Sequence, residues 1–417
     1  MKRLIARLAV PVLMIMGLSA VSSCSIDLGE SMLDGGFEKS TAPDGASGQG
    51  NGSAGVVTAG EWNDLNHWNF WGRLISDNSF SNMPDYWGFY TNYRIAIKVI
   101  GENGEPVSRA KVELYTDKTG RPEWETFTDN RGFADCWLGL YSKDLGSKPE
   151  ELHVKVNGIL QKGSPVVTSL PIEVSAKEQE KPTADSCYNV YKIKSLAADK
   201  KKADIAFIVD ATGSMGDEIA FLKEDLMDII KKSSSQADVP LRTAALFYRD
   251  TEDEYVTRFS NFTENPENTL KFVAAQDAGG GGDYPEAVHT ALETALQKLS
   301  WNENASSKIA FMLLDAPAHH NNEVIESLHQ TIRAYAKNGI ILIPIAASGA
   351  DKNTEFMLRF FAISTGGTYV FITNDSGIGG YHIEPNVGKF NVEQLNELII
   401  RLIKYYTETP VPEAANL

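Results

Sequence analysis

Ile205-Ala206-Phe207-Ile208-Val209-Asp210-Ala211-Thr212-Gly213-Ser214-Met215 begins as an unbroken apolar run and then stops on a carboxylate, two hydroxyls and a glycine. A short apolar run of this kind suits a strand buried on both faces. Behind it, Ile219, Leu222, Leu226, Ile229 and Ile230 recur at helical spacing along one face. The alternation continues to the end of the chain. Strand patterns occupy 241–247, 309–314, 340–345 and 368–372, with a short edge strand at 255–259. Helical patterns occupy 286–299, 323–337, 355–364 and 392–406. Such alternation predicts an α/β fold over 203–408, a mostly parallel sheet with helices on both faces. Ligands of these sheets sit at the carboxyl ends of the strands.

The residues at those ends carry oxygen. Asp210, Thr212 and Ser214 stand every second residue and can converge from one loop onto a hard cation. Oxygen donors suit Mg2+ or Ca2+; Zn2+ would call for His or Cys. A second apolar strand ends in Leu313-Leu314-Asp315, which puts another carboxylate on the same rim. Between them lies Gly279-Gly280-Gly281-Gly282-Asp283-Tyr284-Pro285-Glu286. Its glycines allow close backbone approach, and Pro285 suits the first turn of a helix. A lone Asp-x-Thr-x-Ser reads as a turn or a helix cap. Three elements in order, each at a strand end, read as a metal site.

This set resembles the von Willebrand factor A domain, with its Rossmann-like α/β fold and its metal-ion-dependent adhesion site. Carried over by motif, Asp210, Thr212 and Ser214 are the first element and Asp315 is the strand-end acid. Asp283 takes the loop position, where the family usually has Thr. A third carboxylate there would hold the ion more firmly and dull its pull on an incoming acid. The resemblance implies a binding protein and not an enzyme. Its ligand would be a protein, offering an acidic side chain, or a glycan. A scaffold braced by the metal is the alternative. A phosphohydrolase of the haloacid dehalogenase type would need Asp where Thr212 stands. Ser214 lacks the Gly-x-Ser-x-Gly setting of a hydrolase, and the glycine run lacks the lysine of a phosphate loop. His319 and His320 are adjacent in a polar loop, a poor start for zinc. Asp250 is either an outer partner of the site or an ion-pair partner near Arg249.

Residues 61–197 read differently. Trp62, Trp68, Phe70, Trp71, Tyr86, Trp87, Phe89 and Tyr90 form an aromatic cluster, read as packing more readily than as a sugar-stacking surface. Short alternating runs over 94–99, 110–115 and 152–156, broken by Asn-Gly and Gly-rich turns, predict a small antiparallel β-sandwich. Gly104-Glu105-Pro106-Val107, Ala110-x-Val112-x-Leu114 and Thr128-Asp129-Asn130-x-Gly132 resemble the carboxypeptidase regulatory-like, transthyretin-type sandwich. That resemblance implies a spacer module without catalytic residues.

The chain has 417 residues and a formal net charge of −16. Without the segment bearing Lys2, Arg3 and Arg7 the charge is −16 − 3 = −19. That balance excludes a nucleic-acid partner, which needs clustered Lys and Arg. The basic start is followed by a short apolar run and Val21-Ser22-Ser23-Cys24, which resembles a bacterial lipobox. A signal peptide over 1–23 and lipidation of Cys24 are expected, and Ser25 in place of Asp points to the outer membrane of a Gram-negative cell envelope. Residues 24–60 read as a flexible tether and 409–417 as a tail. In an oxidising compartment Cys136 and Cys187, both in the β-rich segment, could pair.

Overall fold

The computed structural model describes residues 54–77, 79–117, 120–145, 151–170, 188–194, 202–377, 380 and 382–408. The expected signal peptide, Cys24, most of the tether, Cys187 and the tail lie outside the described residues. No described helix is long and apolar enough to cross a membrane.

The first elements are β1 (Thr58–Trp62), α1 (Trp68–Ser76) and α2 (Met83–Trp87). Eight short strands follow: β2 (Tyr93–Ile100), β3 (Lys111–Tyr115), β4 (Trp124–Phe127), β5 (Phe133–Trp137), β6 (His153–Val156), β7 (Ile159–Leu160), β8 (Thr168–Ser169) and β9 (Asn189–Lys192). They form two four-stranded sheets, one with β2 paired to β5, β8 and β9, the other in the order β4-β3-β6-β7. Alternate residues Ile95, Ile97 and Val99 on β2 face inward with Val112, Leu114, Val154 and Val156, all buried in one apolar cluster. Cys136 is buried in that cluster and is bonded to no cysteine among the described residues.

The rest of the chain is α/β. Its elements are β10 (Ala203–Asp210), α3 (Ile219–Gln236), β11 (Leu241–Tyr248), β12 (Thr257–Thr263), α4 (Pro266–Ala274), α5 (Val288–Lys298), β13 (Lys308–Leu314), α6 (Asn322–Lys337), β14 (Ile341–Ala346), α7 (Lys352–Thr365), β15 (Tyr369–Ile372), β16 (Glu393–Gln394) and α8 (Leu395–Thr407). The sheet has eight strands in the order β12-β11-β10-β13-β14-β15-β1-β16. Strands β11, β10, β13, β14 and β15 are mutually parallel. Ile205, Phe207 and Val209 pack under α3, α4 and α8, while Ala206 and Ile208 face the layer of α5, α6 and α7. Each fully buried aliphatic side chain contributes about 1.5–3 kcal/mol, so these two layers hold the sheet.

One boundary differs from the sequence reading. Thr58–Trp62, assigned there partly to the tether and separated from the α/β domain, is a strand of the large sheet. It pairs antiparallel with β15 on one side and with β16 on the other. The two small sheets are therefore an insertion between the first and second strands of the α/β domain. Thr-Ala-Gly-Glu-Trp shows no apolar period, so its pairing is not visible locally. Gly60 makes it possible, because a Cβ there would lie 2.7 Å from the rings of both Phe371 and Phe390.

The aromatic cluster packs. Trp68, Trp71, Trp87 and Phe89 are buried. Trp71 stacks on Phe356 with ring centroids 5.7 Å apart, and Phe89 on Phe360 at 3.8 Å. These rings glue α1 and α2 to α7. Helix α4 went unread in the sequence, although Asn265 before Pro266 is a helix-start signal; the Asn265 side chain accepts a hydrogen bond from the Glu267 N–H at 3.2 Å.

Candidate metal centre

Strand β10 ends at Asp210, which is fully buried. The chain then turns through Thr212, in extended backbone, into a 3-10 turn over Gly213–Asp217. That turn brings Thr212 back onto the carboxylate: its N–H and its hydroxyl donate to Asp210 Oδ1 at 2.9 and 2.7 Å. The Thr212 and Ser214 hydroxyls lie 3.1 Å apart. Ser214 in turn stands beside Asp315, which lies just past the end of the neighbouring strand β13. Asp210, Thr212 and Ser214 are therefore linked in one chain of oxygens, with Asp315 beside them.

The unused lone pairs matter most. Asp210 Oδ2 and Asp315 Oδ1 are buried and, among the described residues, neither has a hydrogen-bond partner of normal geometry, although the Tyr248 hydroxyl stands near Asp210. Burial, and next the charge of Asp315, push the Asp210 carboxyl up to about 7. Burial also raises Asp315; the Ser214 hydroxyl opposes this and the nearby Glu218 adds to it. Buried carboxylates without partners are costly unless a cation or a proton meets them.

The fifth expected ligand stands elsewhere. Asp283 is exposed and, among the described residues, has no hydrogen-bond or ion-pair partner. The loop instead delivers Glu286, which is 3% exposed and has Oε2 without a partner. Burial, then Asp210, Asp250, Asp315 and Asp253, push the Glu286 carboxyl up to about 9. Its N–H donates to the Pro317 carbonyl at 2.9 Å, a bridge to the segment after β13. That bridge delays α5 to Val288, two residues later than the sequence pattern suggests. Acids at 283 and 286 are equally visible in the sequence; only the path of the loop decides between them.

Glycine shapes that path. The Gly213 N–H donates to the Gly280 carbonyl at 3.1 Å and the Gly279 N–H to the Ala211 carbonyl at 3.0 Å. Gly281 has φ +71°, and a Cβ on it would lie 3.1 Å from Glu286 Oε1 and 3.3 Å from the Thr212 Cβ. Asp253 Oδ2 accepts the N–H groups of Gly281 at 2.8 Å and Asp250 at 3.0 Å. The Tyr284 hydroxyl accepts the Asp351 N–H at 3.1 Å and so ties the loop to the one leading into α7.

Outer groups complete the rim. Asp250 faces His319 Nε2 at 2.7 Å, whereas Arg249 donates to the carbonyls of Ala211 and Asp277. His320 stacks on Tyr86 and meets the Tyr86 carbonyl at 2.7 Å, so neither histidine points to a shared metal. Sequence reasoning missed Glu218, which is buried, accepts the Ser348 N–H at 3.2 Å and faces His382 Nε2 at 3.0 Å.

The donors fit a hard cation. Three buried carboxylate oxygens without partners, two hydroxyls and no sulfur suit Mg2+ or Ca2+. Among the described residues no three His, Cys, Asp or Glu side chains close on one point. An ion here would therefore draw on Thr212, Ser214 and water as well as on carboxylates.

Residues 204–356 match the family model described as von Willebrand factor A domain. The chain contains a von Willebrand factor A domain. Its sheet extends past the matched residues, to β15, β16 and the distant β1. Over 189 residues the chain is 28% identical to an ariadne-like RING finger protein of Acanthamoeba polyphaga mimivirus, covering 41% of this chain and 18% of that protein. Over 119 residues it is 30% identical to an alpha-protein kinase of Dictyostelium discoideum, covering 28% of this chain and 19% of that one. The chain thus spans less than a fifth of either relative, and the likeness is one of part to part.

Proposed function

We propose that the A domain binds a protein ligand through a divalent cation, Mg2+ or Ca2+, at the carboxyl edge of its sheet. Asp210, Thr212, Ser214 and Asp315 would hold the ion, with Glu286 in the loop position in place of Asp283. A bound cation supplies an electrophilic position for a ligand oxygen, such as that of an acidic side chain. The chain's own residues do the rest. Thr212 fixes the Asp210 carboxylate, Ser214 stands beside Asp315, and the glycine loop braces the turn after Asp210 through backbone bonds. The single observation carrying this reading is the set of buried carboxylate oxygens on Asp210, Asp315 and Glu286 that lack partners. A domains often mediate protein interaction, which favours a protein over a glycan.

The wider reading is of a non-enzymatic lipoprotein, anchored by Cys24 at the outer membrane of a Gram-negative cell, with the inserted sheets as a transthyretin-type spacer. Capture of a partner from envelope extract tests the binding role. Wild type should retain it in Mg2+ and lose it in EDTA, and Asp210→Ala should not retain it in either. Retention in EDTA, with only a lower melting temperature, would favour the scaffold reading. Metabolic labelling with a fatty acid, lost in Cys24→Ala, tests the anchor.

A further inference from the structure

At the opposite edge of the sheet, where β13 and β14 begin, a cavity of about 420 Å³ lies between the α/β domain and the inserted strands. Lys308, the first residue of β13, lines it together with Arg109, Phe127, Thr128, Asn130 and Arg131. Lys308 is seven residues before Asp315 on the same strand, roughly 20 Å away at about 3.3 Å per residue. This site is therefore separate from the metal centre and does not depend on it.

The charge in the cavity is uneven. Arg94 is paired with Asp135 at 2.6 Å. Asp129, whose Oδ1 accepts the N–H groups of Arg131 and Phe133, sits beside the Arg131 charge. Those four residues cancel. Arg109 and Lys308 remain, and among the described residues neither has a carboxylate within ion-pair distance. Arg109 lies over the Phe127 ring at 4.2 Å and donates to the Gly339 carbonyl at 2.9 Å. Lys308 donates to the Asn338 carbonyl at 3.3 Å. Both cations thus face the carboxyl end of α6, which offers only about half a negative charge. Burial, then the charge of Arg109, push the Lys308 ammonium down to about 8, and burial pushes Arg109 down to about 10. Asp204, across from Lys308 on β10, and Glu303 pull the other way, but Asp204 already faces Arg242 at 3.4 Å. Neither acid lines the cavity, so its two desolvated cations have no anion of their own there. Asn130 Oδ1, buried and without a partner, adds an acceptor for a ligand hydroxyl.

We propose that this cavity binds a small organic anion bearing a phosphate or a carboxylate, with Arg109 and Lys308 as its cationic contacts. The volume lies in the range of small-molecule sites, about 300–1,000 Å³. Aromatic walls at Phe127 and Phe133 suit a compact body behind the anionic group.

Calorimetry on the full chain at pH 7 tests this, with inorganic phosphate and glucuronate as probes and chloride at matched ionic strength as reference. At least one probe should bind wild type and raise its melting temperature above that in chloride. The tighter probe assigns phosphate or carboxylate as the recognised group. Arg109→Gln and Lys308→Met should each weaken binding at least tenfold, whereas Arg109→Lys, which keeps the charge and guards against a folding failure, should keep most of it. No heat with either probe overturns the proposal. So does a variant melting lower by the same amount in chloride and in the probe, because the two cations would then only cap α6.

Discussion

Arg359 on α7 grips Asp64, 295 positions earlier, with two parallel hydrogen bonds: Nη2 to Oδ1 at 2.5 Å and Nε to Oδ2 at 2.9 Å. Both side chains are fully buried, and Nη1 of the same guanidinium reaches Glu355 at 3.0 Å. The pair fastens the segment after β1 to the centre of the A domain. Removing one partner of such a pair leaves a buried charge uncompensated, which costs about 3–5 kcal/mol. Asp64→Ala should therefore destabilise the protein by about 3 kcal/mol in urea unfolding. Replacing Arg359 as well, as Asp64→Ala with Arg359→Met, should cost less than the sum of the single changes.

Asp210→Asn should separate stability from ion binding. The amide keeps an acceptor for Thr212 and removes a buried carboxylate that has an unpartnered oxygen. In EDTA the variant should be more stable than wild type, by about 1–3 kcal/mol. Addition of Mg2+ should then stabilise wild type and leave the variant unchanged. A variant less stable than wild type in EDTA would mean that the site does not store this strain. Thermal unfolding with and without Mg2+ gives both readings.

Asp283 and Glu286 should differ sharply. Asp283→Ala should leave Mg2+ affinity within about twofold, since a solvent-exposed charge acts on the site only through screened solvent. Glu286→Gln should weaken it at least tenfold, about 1.4 kcal/mol. Calorimetric titration ranks the two, and the reverse order would return Asp283 to the site.

Acid should stabilise the metal-free protein. Burial raises Asp129 and Asp225 to about 6, and Asp210 to about 7. A carboxyl whose folded pKa lies above its unfolded value binds its proton more tightly in the native state. The stability these groups contribute is then greatest below about 4, the ordinary carboxylate value, and is lost as pH rises through 6 to 7, with that of Glu286 lost on up to about 9. Urea midpoints in EDTA should accordingly be higher at pH 5 than at pH 8. With Mg2+ present the trend should flatten, because protons and the ion compete for Asp210.

A fragment holding only 203–408 should fold poorly. It lacks β1, which leaves the β15 edge open and uncovers Val370 and Ile372. A fragment from residue 54 onward should melt cooperatively, and 203–408 should melt lower or aggregate. Equal melting temperatures would show that β1 is dispensable.

The parallel sheet was legible because β10, β13 and β14 carry unbroken apolar runs, Ile205–Val209, Ile309–Leu314 and Ile341–Ala346, separated by helices of plain period. That Asp210, Thr212, Ser214 and Asp315 gather on one rim was legible because each lies at or shortly past a strand end. Glu286 was not, since its position depends on a loop whose course is set by backbone bonds from Gly279, Gly280 and Gly281. Strand β1 was hidden for another reason: its partners lie hundreds of residues away, and its one large side chain, Trp62, gives no period. The Arg109 and Lys308 cavity was equally invisible, because it lies where an inserted segment meets the main sheet.

The hydroxyls of Thr58 and Thr373, 315 positions apart in the chain, meet at 2.8 Å. During synthesis, β1 therefore emerges first and stays single until β15 has left the ribosome. The inserted sheets can form in the interval, but the large sheet closes only at the end, with its oldest strand arriving last. Closure over so long a loop is slow, and until it occurs the nascent chain carries an uncovered β15 edge, the point at which a chaperone would have most to protect.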